Sequence, residues 1–122
     1  MPDMKDFSDK RNWNVLTLLK SRSKELGSKQ FIEFDSGESL TFSLLEQKSN
    51  LLAFKLKSLG LKENENVFCF LKNCPEFLIS MFAIFKCGAI FVPINTELRG
   101  KFLEHQFKNS EPKIAIINNS LI

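Results

Sequence analysis

The chain of 122 residues has no tyrosine, one tryptophan and one histidine, and thirteen phenylalanines carry nearly all of its aromatic character. Phenylalanine has no polar handle, so these rings suit buried packing better than a wet binding face. A single histidine, together with three cysteines that form no C-x-x-C pair, argues against a zinc site. Cys69, Cys74 and Cys87 are an odd set, which fits reduced thiols in a cytoplasmic protein rather than a disulfide frame. Glycine is scarce as well. Gly27, Gly37, Gly60, Gly88 and Gly100 are never closer than ten residues, so no backbone cradle for phosphate can be drawn from neighbouring glycines.

Long apolar runs are also missing. The longest uncharged one, FLISMFAIF at residues 77–85, stops at Lys86, well short of the ~20 residues a membrane span needs. The first fourteen residues, MPDMKDFSDKRNWN, are polar and charged and show no secretory leader, and residues 1–12 are expected to be flexible. The net charge of +3 comes from lysines and arginines scattered without a block, so neither nucleic acid nor an anionic membrane is an expected partner. With 43% hydrophobic and 25% charged residues, the composition fits a single globular domain with a core.

The pattern along the chain predicts an α/β fold. Val15, Leu18, Leu19 and Leu26 recur at helical spacing, with Arg22 and Lys24 turned outward and Gly27 placed to end the helix. QFIEF and SLTF flank Asp35-Ser36-Gly37-Glu38 and read as a β-hairpin. Ser43 followed by Glu46 reads as a capping box, opening a helix with Leu45, Leu52, Leu56 and Leu59 on one face and closing at Gly60. VFCFL at residues 67–71 reads as a strand buried on both faces. Cys74 takes an N-cap place before Pro75, and a helix runs to Lys86 with Gly88 releasing it. AIFVPI follows as a second buried strand, then a helix at about residues 100–109 carrying Leu103 and Phe107. Ser110-Glu111-Pro112 stops it before a strand at residues 114–117. Strand, helix, strand, helix, strand implies a partly parallel sheet with crossover helices, preceded by the hairpin. The all-apolar third helix looks sandwiched, so its outer face is expected to need cover from sequence beyond residue 122 and to drive self-association.

Within residues 59–117, P-E-F-L at Pro75 to Leu78, K-C-G-A at Lys86 to Ala89 and V-P-I-N at Val92 to Asn95, followed by Leu98-Arg99-Gly100, stand in order and at family spacing. Together they resemble the N-terminal part of an AMP-forming acyl-CoA ligase of the adenylate-forming superfamily, nearest to the carnitine and crotonobetaine CoA ligases. The resemblance runs from about Leu40 to Ile117 and more loosely back to Trp13. Two departures stand out. Asn64-Glu65 replaces a frequent Gly-Asp, and Asn is the residue besides Gly that best tolerates a left-handed turn. Arg99 stands where many relatives have a Thr or Ser cap.

Such enzymes join a carboxylic acid to AMP and pass the acyl group to coenzyme A, so the resemblance implies ATP, Mg²⁺ and coenzyme A for the complete parent. Their phosphate loop, magnesium-positioning acid, ribose-gripping Asp and C-terminal Lys find no counterpart among these residues, so no catalytic, cofactor-binding or metal residue carries over. Residues 1–122 are then one incomplete domain, the N-terminal portion of the AMP-binding domain, expected to be inactive by itself. A stand-alone α/β binding module and the start of an amino-acid-activating adenylation domain remain alternatives.

The remaining polar candidates have modest readings. His105, beside Glu104 and Lys108, reads as a solvated surface histidine. Cys74 reads as a capping residue whose thiol a helix N-terminus could make the most nucleophilic of the three. The pairs Glu63 with Glu65 and Glu33 with Asp35 sit in turns, where carboxylates are usually just hydrated. Asn95 and Thr96 follow a strand end, where α/β sheets bind ligands, but the resemblance gives them to architecture.

Overall fold

A computed structural model describes residues 14–121, so the expected flexibility of residues 1–12 falls outside the described residues. The elements run α1 (Val15–Leu26), β1 (Gln30–Glu33), β2 (Ser39–Thr41), α2 (Phe42–Ser58), β3 (Asn66–Phe70), α3 (Pro75–Lys86), β4 (Ile90–Pro93), α4 (Gly100–Ser110) and β5 (Ile114–Ile117), followed by a short 3-10 turn at Asn119–Leu121. β1 and β2 pair antiparallel, and β3 lies between β4 and β5 in a parallel sheet ordered β4-β3-β5. This is the α/β fold with a parallel sheet and a hairpin that the patterning predicts.

Central placement explains the composition of β3. Val67 and Cys69 face α3 and pack with Ala83, Ile84 and Cys87. Phe68 points to the other face, where its ring meets Phe107 of α4 at 5.1 Å. α3 and α4 therefore cover opposite faces of the sheet. A second core cluster joins α1, the hairpin, α2 and α3 through Leu19, Phe34, Leu40, Leu45, Ile79 and Phe82. β4, by contrast, is an edge strand with Ile90 46% exposed, not the buried strand its apolar sequence suggests. One neighbour in the sheet leaves an apolar strand half covered, and sequence does not report neighbour number.

Gly60 and Gly88 end α2 and α3 in the same way. Each adopts positive φ, +97° and +68°, and the chain then closes two backward bonds. Gly60 N–H donates to Lys57 O and Leu61 N–H to Leu56 O; Gly88 N–H donates to Phe85 O and Ala89 N–H to Ile84 O. This is the Schellman pattern, which satisfies carbonyls a helix end leaves bare. Asn64 adopts φ +64° and donates its N–H to Gly88 O at 3.0 Å, so the turn survives without the family's glycine. α4 starts at Gly100 although Arg99 makes no side-chain cap; its guanidinium instead donates to Thr96 O and Leu98 O.

Three expectations are corrected. The cap of α2 is Thr41, whose Oγ1 accepts the Leu44 N–H at 3.1 Å; Ser43 already lies inside the helix and Glu46 is drawn elsewhere. Leu59 is 61% exposed rather than on the buried face, because the helix has closed before it. The outer face of α3 is covered within this chain: Ile79 and Phe82 are buried against α1, the hairpin and α2, so no later sequence is needed there.

Candidate functional site

In open α/β sheets ligands sit beyond the carboxyl ends of the strands. At that end β3 and β5 are clasped together: Asn118 N–H donates to Phe70 O at 3.1 Å and Asn118 Oδ1 accepts the Lys72 N–H at 2.6 Å. A cavity of 630 Å³ opens beside the clasp, lined by Leu71, Cys74, Ser80 and Asn118 and by two carboxylates, Glu38 and Glu76. Among the described residues no lysine or arginine lines it. Phosphate groups would meet two negative charges and no partner, so the residues here do not fit a nucleotide triphosphate. Beyond β4, the Asn95 side chain accepts the Glu97 N–H at 2.9 Å, a local turn that agrees with its architectural reading.

Cys74 does occupy the N-cap of α3, but its thiol makes no capping hydrogen bond. Burial pushes its pKa up, helped by the nearby Glu76 carboxylate, while the Phe77 and Glu76 N–H groups pull the other way. The helix N-terminus therefore does not lower this pKa, because desolvation and a like-signed neighbour outweigh it, yet Cys74 remains the most exposed of the three thiols. Cys69 is fully buried in β3, and burial pushes its thiol up to about 12. All three cysteines are free thiols.

The structure keeps the other candidates apart. His105 is exposed on α4 and its Nε2 lies 2.9 Å from the Asn109 amide, with Glu104 and Lys108 paired at 2.8 Å alongside. Glu65 accepts the Lys62 N–H at 2.7 Å within its own turn, and Glu33 and Asp35 are exposed. Among the described residues, no three side chains of His, Cys, Asp or Glu gather where they could hold a metal ion.

One well-connected polar group joins residues that stand far apart in the sequence. Lys86 Nζ, at the end of α3, reaches four acceptors on α2: Glu46 Oε1, Glu46 O at 3.3 Å, Ser49 Oγ at 2.8 Å and Asn50 Oδ1 at 2.7 Å. An ammonium has three protons, so the set is saturated. Glu46 and Asn50 stand at i, i+4 on one helical face, which is the one local sign of a shared partner. The partner itself lies 40 residues away. This arrangement fastens two helices and leaves no proton free for chemistry.

The fold defined here is that of the N-terminal subdomain of adenylate-forming ligases. Solved structures superpose closely: the anthranilate CoA ligase AuaEII bound to anthranoyl-AMP gives a TM-score of 0.82 at 26% identity, covering 90% of this chain and 22% of that one. The Klebsiella oxytoca NpsA N-terminal subdomain gives 0.77 at 22% identity, covering 86% of this chain and 27% of that one. In sequence, the crotonobetaine/carnitine–CoA ligase of Salmonella paratyphi A is 33% identical over 94 residues, 74% of this chain and 18% of the relative. The family model described as AMP-binding enzyme matches residues 19–121, and the chain belongs to that family. It spans about a fifth of the length of the curated relatives it matches. No described helix is long and apolar enough to cross a membrane.

Proposed function

We propose that residues 1–122 form the N-terminal scaffold of an ATP-dependent, AMP-forming acid–thiol ligase. The complete enzyme would activate a small carboxylic acid as acyl-AMP and transfer the acyl group to coenzyme A. The observation that carries this reading is the 33% identity to crotonobetaine/carnitine–CoA ligases within a family match that spans residues 19–121. An amino-acid-activating adenylation domain shares the fold, but the likeness to NpsA, at 22% identity, speaks only to fold. A stand-alone binding module would use the same scaffold without the chemistry.

In this reading ATP, Mg²⁺ and coenzyme A are held by parts of the enzyme outside these residues. The strand-end cavity, with two carboxylates and no cation among the described residues, supports that division of labour. The free thiols fit a reducing compartment, and the cytoplasm is the proposed location. Exposed Leu51 of α2 and Leu59 just after it are apolar positions through which copies of the chain would associate.

The test has two arms. Purified chain should show no carboxylate-dependent exchange of pyrophosphate into ATP and form no CoA thioester with carnitine, crotonobetaine or fatty acids. A Salmonella crotonobetaine/carnitine–CoA ligase whose corresponding N-terminal segment is replaced by residues 19–121 should fold and retain thioester formation. Exchange by the isolated chain would sink the scaffold reading, and a folded but inactive chimera would count against the ligase assignment.

A further inference from the structure

Lysines that are scattered in the sequence converge in the fold. Lys20 and Lys24 on α1, Lys57 on α2 and Lys86 at the end of α3 line a groove of 570 Å³. Among the described residues its one carboxylate, Glu46, is taken by Lys86. Among the described residues no ion pair engages Lys20, Lys24 or Lys57. The groove is therefore a net positive surface with three cations open to an anion.

Its shape says more. Lys20 and Lys24 stand one turn apart on the same face of α1, so their ammonium groups can bracket one anionic group. Glu46 and Lys57, at the two ends of the α2 wall, are separated by about 16 Å along the helix, longer than a single inorganic phosphate. Between them Phe54 lines the groove while remaining 76% exposed. Lysines in the last turns of α1, α2 and α3 also answer the helix dipoles. That role accounts for neither the mid-helix Lys20 nor the bare Phe54 ring.

We propose that this groove binds a molecule made of a phosphate group on an apolar or aromatic body, the phosphate bracketed by Lys20 and Lys24 and the body laid on Phe54. The site is separate from the strand-end cavity and does not rest on the ligase reading. A soluble phosphate ester and a phospholipid headgroup share this chemistry.

Titration of the 122-residue chain with phenyl phosphate, inorganic phosphate and phenol, followed by NMR, tests it beside flotation with phosphatidylcholine vesicles with and without phosphatidic acid. Phenyl phosphate should bind saturably, inorganic phosphate more weakly and phenol not at all. The double variant Lys20→Ala/Lys24→Ala should weaken binding by about tenfold or more, the loss expected for removing charge-assisted contacts. Phe54→Ala should erase the advantage of phenyl phosphate over inorganic phosphate, and Lys101→Ala on α4 should change nothing. Flotation that requires phosphatidic acid and fails in the double variant would identify the lipid as the source. The proposal is overturned if neither phenyl phosphate nor phosphatidic acid binds, or if binding survives Lys20→Ala/Lys24→Ala. All substituted side chains are exposed, and thermal melts of the variants should match the parent.

Discussion

Lys86 and Glu46, forty residues apart in sequence, form an ion pair that ties the end of α3 to α2, with side chains only 14% and 18% exposed. The second carboxylate oxygen, Glu46 Oε2, is buried and finds no hydrogen-bond partner among the described residues. Such a pair contributes through the cost of leaving either charge alone more than through its own attraction.

Removing one partner should therefore hurt more than removing both. Lys86→Met is expected to cost about 3 kcal/mol, the low end for a buried pair because both chains keep some contact with water. The double variant Lys86→Met/Glu46→Leu should recover most of that loss. Urea denaturation decides it, and a double variant as unstable as the single would show that the pair stabilises in its own right.

Gly27 closes α1 in an ordinary right-handed conformation, so it is not there for a left-handed turn. Space is the reason: a Cβ would meet Ser43 Oγ at 2.5 Å and the Ser23 carbonyl oxygen at 2.8 Å. Gly27→Ala should destabilise by about 1 to 3 kcal/mol through overpacking. Adding Ser43→Ala should restore little, because the Ser23 backbone still blocks the site. Full rescue in a thermal melt would place the conflict with Ser43 alone.

Phe82 is buried where α3 meets the hairpin, its ring edge-on to Phe31 at 6.5 Å and to Phe85 at 6.4 Å. Phe82→Ala should cost about 3 to 5 kcal/mol, a large part of the ~5 to 15 kcal/mol a domain commands. An unchanged denaturation midpoint would contradict the core described above.

Native-state thiol labelling should modify Cys74 before Cys69, since Cys74 is half-buried and Cys69 fully buried. Both should need a higher pH than a free cysteine, because burial raises both pKa values. Labelling of Cys74 below the pH of a free thiol would restore the helix N-terminus as the dominant influence.

The same burial sets a pH window for stability. With the Cys69 thiol at about 12 in the fold against an ordinary 9.0, the unfolded chain loses this proton first. The contribution is complete below 9.0 and is lost as pH rises through about 12. Stability of the parent should fall more steeply across that range than that of Cys69→Val. Identical slopes would mean that Cys69 ionises as freely in the fold as out of it.

Short-range chemistry was enough for much of this architecture. Pro75 after an N-cap position starts α3, Gly60 and Gly88 end two helices, and Asp35-Ser36-Gly37-Glu38 turns the hairpin, each through groups only a few residues apart. The continuous apolar run of β3 and the repeating strand and helix order sufficed for a parallel sheet, and the ordered motifs at Pro75, Lys86 and Val92 sufficed for the family. Competition between partners was settled only by packing. Glu46 has a local use in a capping box with Ser43, but Lys86 arrives from 40 residues away and takes it, leaving Thr41 to cap α2. β4 and β3 are similarly apolar in sequence, yet one has a single neighbour and the other two, which fixes their exposure. Cys74 sits at a helix N-terminus in either reading, and only the surrounding burial and the nearby Glu76 reversed the sign of its shift. Lys20, Lys24 and Lys57 are unremarkable along the chain and became a charged groove when α1 folded against α2. Charge and burial sum over neighbours in space, and the chain order of these residues does not contain that sum.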